Sequence, residues 1–180
     1  MKNLVLDLET MGTGPNAAIT AIGAIEVDLK NFTIGMDFYR KVSLISSVEC
    51  GGTMDADTVL WWLEQSDAAR AEFKHGVSLP DALADFSEFF FSYSSSSEIK
   101  VWGNGSDFDN VILANAYTSI NYSVPWSFRN NRCYRTVLAE FKDSNLARGW
   151  IHTRPMLAHH AGSDARAQAE NLISIYKLRG

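Results

Sequence analysis

Between Leu4 and Glu9 the side chains alternate, with Leu4, Leu6 and Leu8 on one side of an extended chain and Val5, Asp7 and Glu9 on the other. A period of two marks a β-strand, and this strand ends with two carboxylates on one face. After a GTGPN turn (Gly12–Asn16), Ile19–Val27 reads as a second strand and Ile34–Leu44 as a third, parted by the polar pair Lys30-Asn31. Connections this short do not reach a parallel neighbour, so the spacing predicts an antiparallel meander.

From Asp55 the period changes to that of a helix. Val59, Trp62 and Leu63 share a face, with acids ahead of them where a helix N-terminus favours them. Ser78-Leu79-Pro80-Asp81 is a helix start, with a Ser cap, Pro in the first turn and Asp at the capping-box position. Leu83, Phe86, Phe90 and Tyr93 follow at helical spacing. Residues 92–97 read as a short polar loop, Ile99–Trp102 as a strand, and Ser106–Asp109 as the start of another helix. Residues 143–155 have weak periodicity and are expected to be mobile. A last helix is predicted over Ser163–Leu178, burying Ala165, Ala169, Leu172, Ile173 and Tyr176. With no repeat and no linker in its 180 residues, the chain is expected to form one α/β domain over 1–180, a central sheet covered by helices.

Hydrophobic residues make up 46% of the chain, too many for a disordered chain. Cys50 and Cys133 form no CxxC pair or disulfide framework, consistent with a cytoplasmic location. The opening MKNLVLDLET reaches an acid too early for a signal peptide or membrane span, so neither is expected. A net charge of −5 disfavours a tight, sequence-scanning DNA binder. It fits an enzyme that holds a few nucleotides, because two divalent cations in an acidic site would bring the balance to about −1.

Asp7 and Glu9 leave one face two residues apart, where like charges repel unless a cation lies between them. Hard oxygen ligands suit magnesium or manganese; the plainer reading is a strand turning polar at its end. Asp109 follows Trp102-Gly103-Asn104-Gly105-Ser106-Asp107-Phe108 at a helix start. There Ser106 and Asp109 have capping-box spacing, and the glycines permit close approach by backbone or substrate. His159-His160-Ala161-Gly162-Ser163-Asp164 precedes the last helix; Asp164 fits an ordinary cap, or a metal ligand beside a histidine base. No third His or Cys stands at zinc-like spacing from this pair, His75 and His152 being distant in sequence.

Taken in order, Asp-x-Glu on the first strand, Asn-x3-Phe-Asp at a middle helix and His-x4-Asp at a late helix make the chain resemble the DEDDh exonucleases. This DnaQ-like superfamily includes polymerase proofreading subunits and oligoribonuclease, and the resemblance covers nearly the whole chain. Thr58–Arg70, with Trp61-Trp62-x-x-Gln65, is similar to a branch of bacteriophage exonucleases and related bacterial ribonucleases. A phage or prophage origin is suggested by that resemblance alone.

The resemblance implies a ribonuclease H-like fold whose mixed sheet joins an antiparallel meander to parallel strands. It implies Asp7, Glu9, Asp109 and Asp164 as ligands of two divalent cations, Mg2+ or Mn2+. Asp7 would bridge them, Glu9 and Asp164 would serve the one nearer the attacking water, and Asp109 would serve the other directly or through water. His159, five residues before Asp164, would be the general base in preference to His160; Asp107 is an additional acid beside Asp109. Thr10 and Met11 would grip the terminal nucleotide. Phe108 and Trp62 would stack on bases, Gln65 would reach a phosphate or sugar, and Asn104 would contact substrate, whereas core packing is favoured for Trp61. The implied reaction is 3′→5′ removal of nucleoside 5′-monophosphates from single-stranded DNA or RNA, or from 3′ overhangs. An RNA-specific exoribonuclease, a catalytically idle binding module and a non-nuclease phosphohydrolase are the rival readings. Assembly, including a homodimer, is left open.

Overall fold

The computed structural model describes residues 2–93 and 98–180. Strands β1 (Lys2–Thr10), β2 (Ile19–Asp28) and β3 (Thr33–Lys41) form the antiparallel meander, with Asp7 opposite Gly23. β4 (Lys100–Gly103) adds to the free side of β1 in parallel, and β5 (Asn131–Cys133) adds to β4, giving the order β3-β2-β1-β4-β5. β5 was not legible in sequence, because Asn-Arg-Cys has no apolar alternation and is a strand through its pairing with β4. β3 ends earlier than expected. Ser43 instead caps helix α1 (Leu44–Glu49), its hydroxyl accepting from the Ser46 N–H at 3.4 Å.

Helices α2 (Ala56–Leu63), α3 (Asp67–Ala71) and α4 (Leu79–Tyr93) follow. α4 takes the expected Ser78 cap, the Asp81 N–H donating to the Ser78 hydroxyl. Ser92 and Tyr93 belong to α4 and not to a loop, and the rest of the expected polar loop, residues 94–97, lies outside the described residues. α5 (Asp109–Ser119), α6 (Tyr134–Lys142) and α7 (Ala161–Arg179) complete the order. No helix among the described residues is long and apolar enough to cross a membrane.

Alternation along β1 divides the core. Leu4, Leu6 and Leu8 pack with Ile22, Ala24, Phe86, Phe90, Ile112 and Leu113 on the α4–α5 side. Val5 packs with Ile25, Val27 and Trp102 against Ala165, Ala169 and Leu172 of α7. Residues 143–155 are irregular apart from one 3-10 turn, Asn145–Ala147, yet they are tied to α7. The Trp150 indole N–H donates to Ser174 Oγ at 3.0 Å, and Asn171 exchanges two hydrogen bonds with Thr153.

Candidate active site

Asp7 and Glu9 continue the face of β1 that α7 covers. Gly23, paired with Asp7, sets how closely α7 approaches. A Cβ there would lie 2.3 Å from the Ala161 backbone, so the first turn of α7 can rest on β2 only over a glycine. That contact carries Asp164 to the strand carboxylates, and one oxygen each from Asp7, Glu9 and Asp164 lies within 4.8 Å of the others. Among the described residues this is the one group of His, Cys, Asp or Glu so arranged, and it contains no histidine. A donor set of three carboxylates suits a hard divalent cation rather than zinc.

Asp109 stands beside this trio. It is 1% exposed, its Oδ1 accepting from the Leu8 N–H at 3.1 Å and its Oδ2 from the Asn104 N–H at 2.7 Å. The expected Ser106 cap is not formed: Phe108 occupies the N-cap position and makes no side-chain cap bond. Gly103 leaves room for Asp109, since a Cβ there would lie 3.0 Å from Asp109 Oδ2. Asp107 is exposed, so burial distinguishes the two neighbouring acids. Asn104, expected at the substrate, holds Asp109 through its backbone N–H.

Burial, then the charges of Asp109, Glu9 and Asp164, raises the Asp7 pKa well above the carboxylate range, against the opposing Gln168 hydrogen bond. Burial with Asp164, Asp109 and Glu72 pushes Glu9 up to about 8. Burial lifts Asp109 to about 6 against its backbone donors, and lifts Asp164 against the His159 and His160 N–H groups. Acids raised together need compensating positive charge to ionise. Glu9 in the metal-free fold retains a proton that the unfolded chain loses near its ordinary 4.5. Its contribution is therefore full below about pH 4.5 and lost as pH rises to about 8. In EDTA the melting temperature should fall between pH 5 and 8, and Mg2+ should reduce that fall; a flat EDTA profile would refute the electrostatic reading.

The adjacent histidines are held differently. His160 caps α7, its Nδ1 accepting from the Ser163 N–H at 3.2 Å. Its ring stacks on Tyr39 at 4.3 Å, and its Nε2 faces Glu72 at 3.8 Å. Glu72 also accepts from the Tyr39 hydroxyl and pairs with Lys41 at 3.2 Å. His159 has φ 61°, a left-handed conformation that non-glycine residues seldom adopt. Its ring lies 4.8 Å from Trp61, edge to face, and its backbone N–H reaches the Asp164 carboxylate.

A cavity of about 370 Å³ opens beside Glu9, lined by Thr10, Thr13, Asp57, Thr58, Trp61 and Phe108 among others. The two tryptophans exchange the burial expected of them. Trp62 is 3% exposed and donates its indole N–H to the Thr10 carbonyl at 2.9 Å, whereas Trp61 is 41% exposed. The helical phase put Trp62 inward, and the hydrogen bond makes it a brace for the end of β1. Trp62→Phe should therefore leave a buried carbonyl without this donor, costing about 1–3 kcal/mol, read as a lower melting temperature.

Met11 and Gln65 make contacts within the chain. Met11 packs inside with Ala18, Trp62 and Ala69, and its N–H donates to the Ala18 carbonyl. Gln65 donates to the Trp61 carbonyl at 2.9 Å, closing its own helix. The Thr10 hydroxyl is likewise engaged, with Gly12 O at 2.7 Å, although the residue lines the cavity. Gln168, not among the residues expected at the site, donates its Nε2–H to Asp7 Oδ1 at 2.6 Å. Its spacing of four from Asp164 was the available signal.

An antiparallel meander extended by parallel strands, with helices on both faces, is the architecture of the ribonuclease H-like exonucleases. The chain belongs to the Rv2179c-like 3′-5′ exoribonuclease domain family, which it matches over residues 2–176. Among solved structures it is similar to E. coli exonuclease I in complex with a dT13 oligonucleotide, at 16% identity and a TM-score of 0.67 over 97% of this chain. It is also similar to exonuclease I from Methylocaldum szegediense, at 17% identity and 0.64 over 96% of this chain. A third similar structure is cell-death related nuclease 4, at 13% identity and 0.66 over 98% of this chain. The chain spans 40% of the length of each exonuclease I chain and 64% of the nuclease 4 chain. At these identities the structures establish the fold. No curated protein matches the chain. Membership in this exonuclease family implies dependence on a divalent cation, and the acidic cluster is of the matching chemistry.

Proposed function

We propose that this chain shortens single-stranded RNA from its 3′ end, releasing nucleoside 5′-monophosphates. The observation that carries the reading is the trio of carboxylates within 4.8 Å, set beside a cavity walled by Trp61 and Phe108. The family's exoribonuclease character favours RNA. Asp7, Glu9 and Asp164 would hold the cations, Mg2+ or Mn2+, with Asp109 acting directly or through water. Bound cations would supply positive charge to the scissile phosphate as negative charge develops.

His159 accepts the proton of the attacking water. The water oxygen joins phosphorus, the bond from phosphorus to the neighbouring 3′ oxygen breaks, and that oxygen takes a proton from solvent as it leaves. His160 is engaged in capping and is poorly placed for this task. Trp61 and Phe108 receive the terminal base, a stack worth about 1–3 kcal/mol. Trp61→Leu should accordingly raise KM about 5- to 150-fold on RNA oligonucleotides, with a smaller change in kcat.

Single-stranded DNA is the second reading, favoured by the solved complex of the structurally similar exonuclease I with an oligonucleotide. 5′-Labelled RNA and DNA oligonucleotides of one sequence, incubated with Mg2+ or EDTA, decide between them. The expected result is an EDTA-sensitive ladder on RNA. A ladder on DNA alone would reverse the sugar assignment, and cleavage of neither would overturn the enzyme reading.

A further inference from the structure

Gln168 lies on α7 one turn after Asp164, so both side chains leave the same helical face. It is 7% exposed; its Nε2 donates to Asp7 Oδ1 at 2.6 Å, and its Oε1 is buried with no hydrogen-bond partner among the described residues. A carboxamide kept inside for the fold alone would be bonded at both ends, because an orphaned buried acceptor is costly. A leucine would fill similar space without that cost. What the glutamine adds is a neutral donor on a carboxylate surrounded by other acids. A lysine or arginine there would place a rival cation against Asp7, whereas an amide N–H orients the carboxylate and leaves its charge available.

We propose that Gln168 is a positioning residue of the acidic centre, fixing the rotation of the Asp7 carboxylate so that Asp7, Glu9 and Asp164 present their oxygens together to a divalent cation. The inference rests on the reading of those three acids as a cation site, and goes beyond it in giving α7 a second contribution. Outer partners of metal ligands commonly alter affinity 10- to 100-fold.

The test uses the full chain and Mn2+ alone. Free Mn2+ is followed by electron paramagnetic resonance during titration of the unaltered protein, Gln168→Leu, Gln168→Met and Asp7→Asn, with melting curves in EDTA alongside. Both Gln168 variants should melt within a few degrees of the parent in EDTA, yet bind Mn2+ roughly 10- to 100-fold more weakly. Parent-like Mn2+ affinity in both would overturn the role of Gln168 while leaving the cation site standing. Variants already unfolded in EDTA would also overturn it, by showing that Gln168 serves the fold. If the unaltered protein takes up no more Mn2+ than Asp7→Asn, the cation site itself fails.

Discussion

Asp7→Asn is expected to abolish nucleotide release in Mg2+ while raising the melting temperature of the metal-free protein. Asparagine has nearly the shape of aspartate, and its carbonyl can still accept from Gln168, so the local packing persists. What disappears is the charge at the centre of the acidic cluster, where burial and the charges of Asp109, Glu9 and Asp164 all act against ionisation. Cation stabilisation of a phosphoryl transition state is worth several kcal/mol, and each tenfold in rate is about 1.36 kcal/mol. A loss of about 10³-fold or more is therefore expected. The same substitution relieves like-charge repulsion in EDTA, where about 1 kcal/mol corresponds to roughly 2–4 °C in a chain of this size. Near-native turnover with Mg2+ would remove Asp7 from the centre. Lost turnover with a lower melting temperature in EDTA would point to damage to the fold.

His159→Asn is expected to lower kcat by about 10²- to 10⁴-fold, the usual worth of a positioned base, with little effect on KM. Asparagine is chosen because it tolerates the left-handed backbone at this position better than alanine. His160→Ala is the counterpart. It removes the α7 cap and the Glu72 contact, so its main effect should be on stability, about 0.5–2 kcal/mol for the cap. Rates and melting curves measured together on both variants separate the roles. A greater kcat loss in His160→Ala at unchanged stability would transfer the base assignment to His160.

The meander, the strand after the polar loop and the last helix were readable because each carries an apolar run bounded by turn or capping residues, although β2 is buried along nearly its whole length and β3 buries only Phe38. β5, α1, α3 and α6 were not predicted; β5, three residues without alternation, is defined by the neighbour it pairs with. The acids were legible as an ordered set, while each alone fitted a cap or a strand end. The structure separates those readings locally: Ser106 does not cap α5, and Asp109 is turned inward onto two backbone donors. For the aromatic pair, helical phase marked Trp62 as apolar-facing, but its hydrogen bond to Thr10 and the exposure of Trp61 depend on where α2 docks.

The alternation that places Val5, Asp7 and Glu9 on one side of β1 was determined by sequence alone, because a strand has no other way to orient successive side chains. Which of those residues meet a partner was decided only in three dimensions. Gly23 admits the α7 backbone, α7 brings Asp164 and Gln168 to Asp7, and the His159 ring meets Trp61 edge to face. These contacts join residues far apart in the chain, and no local period encodes their separation.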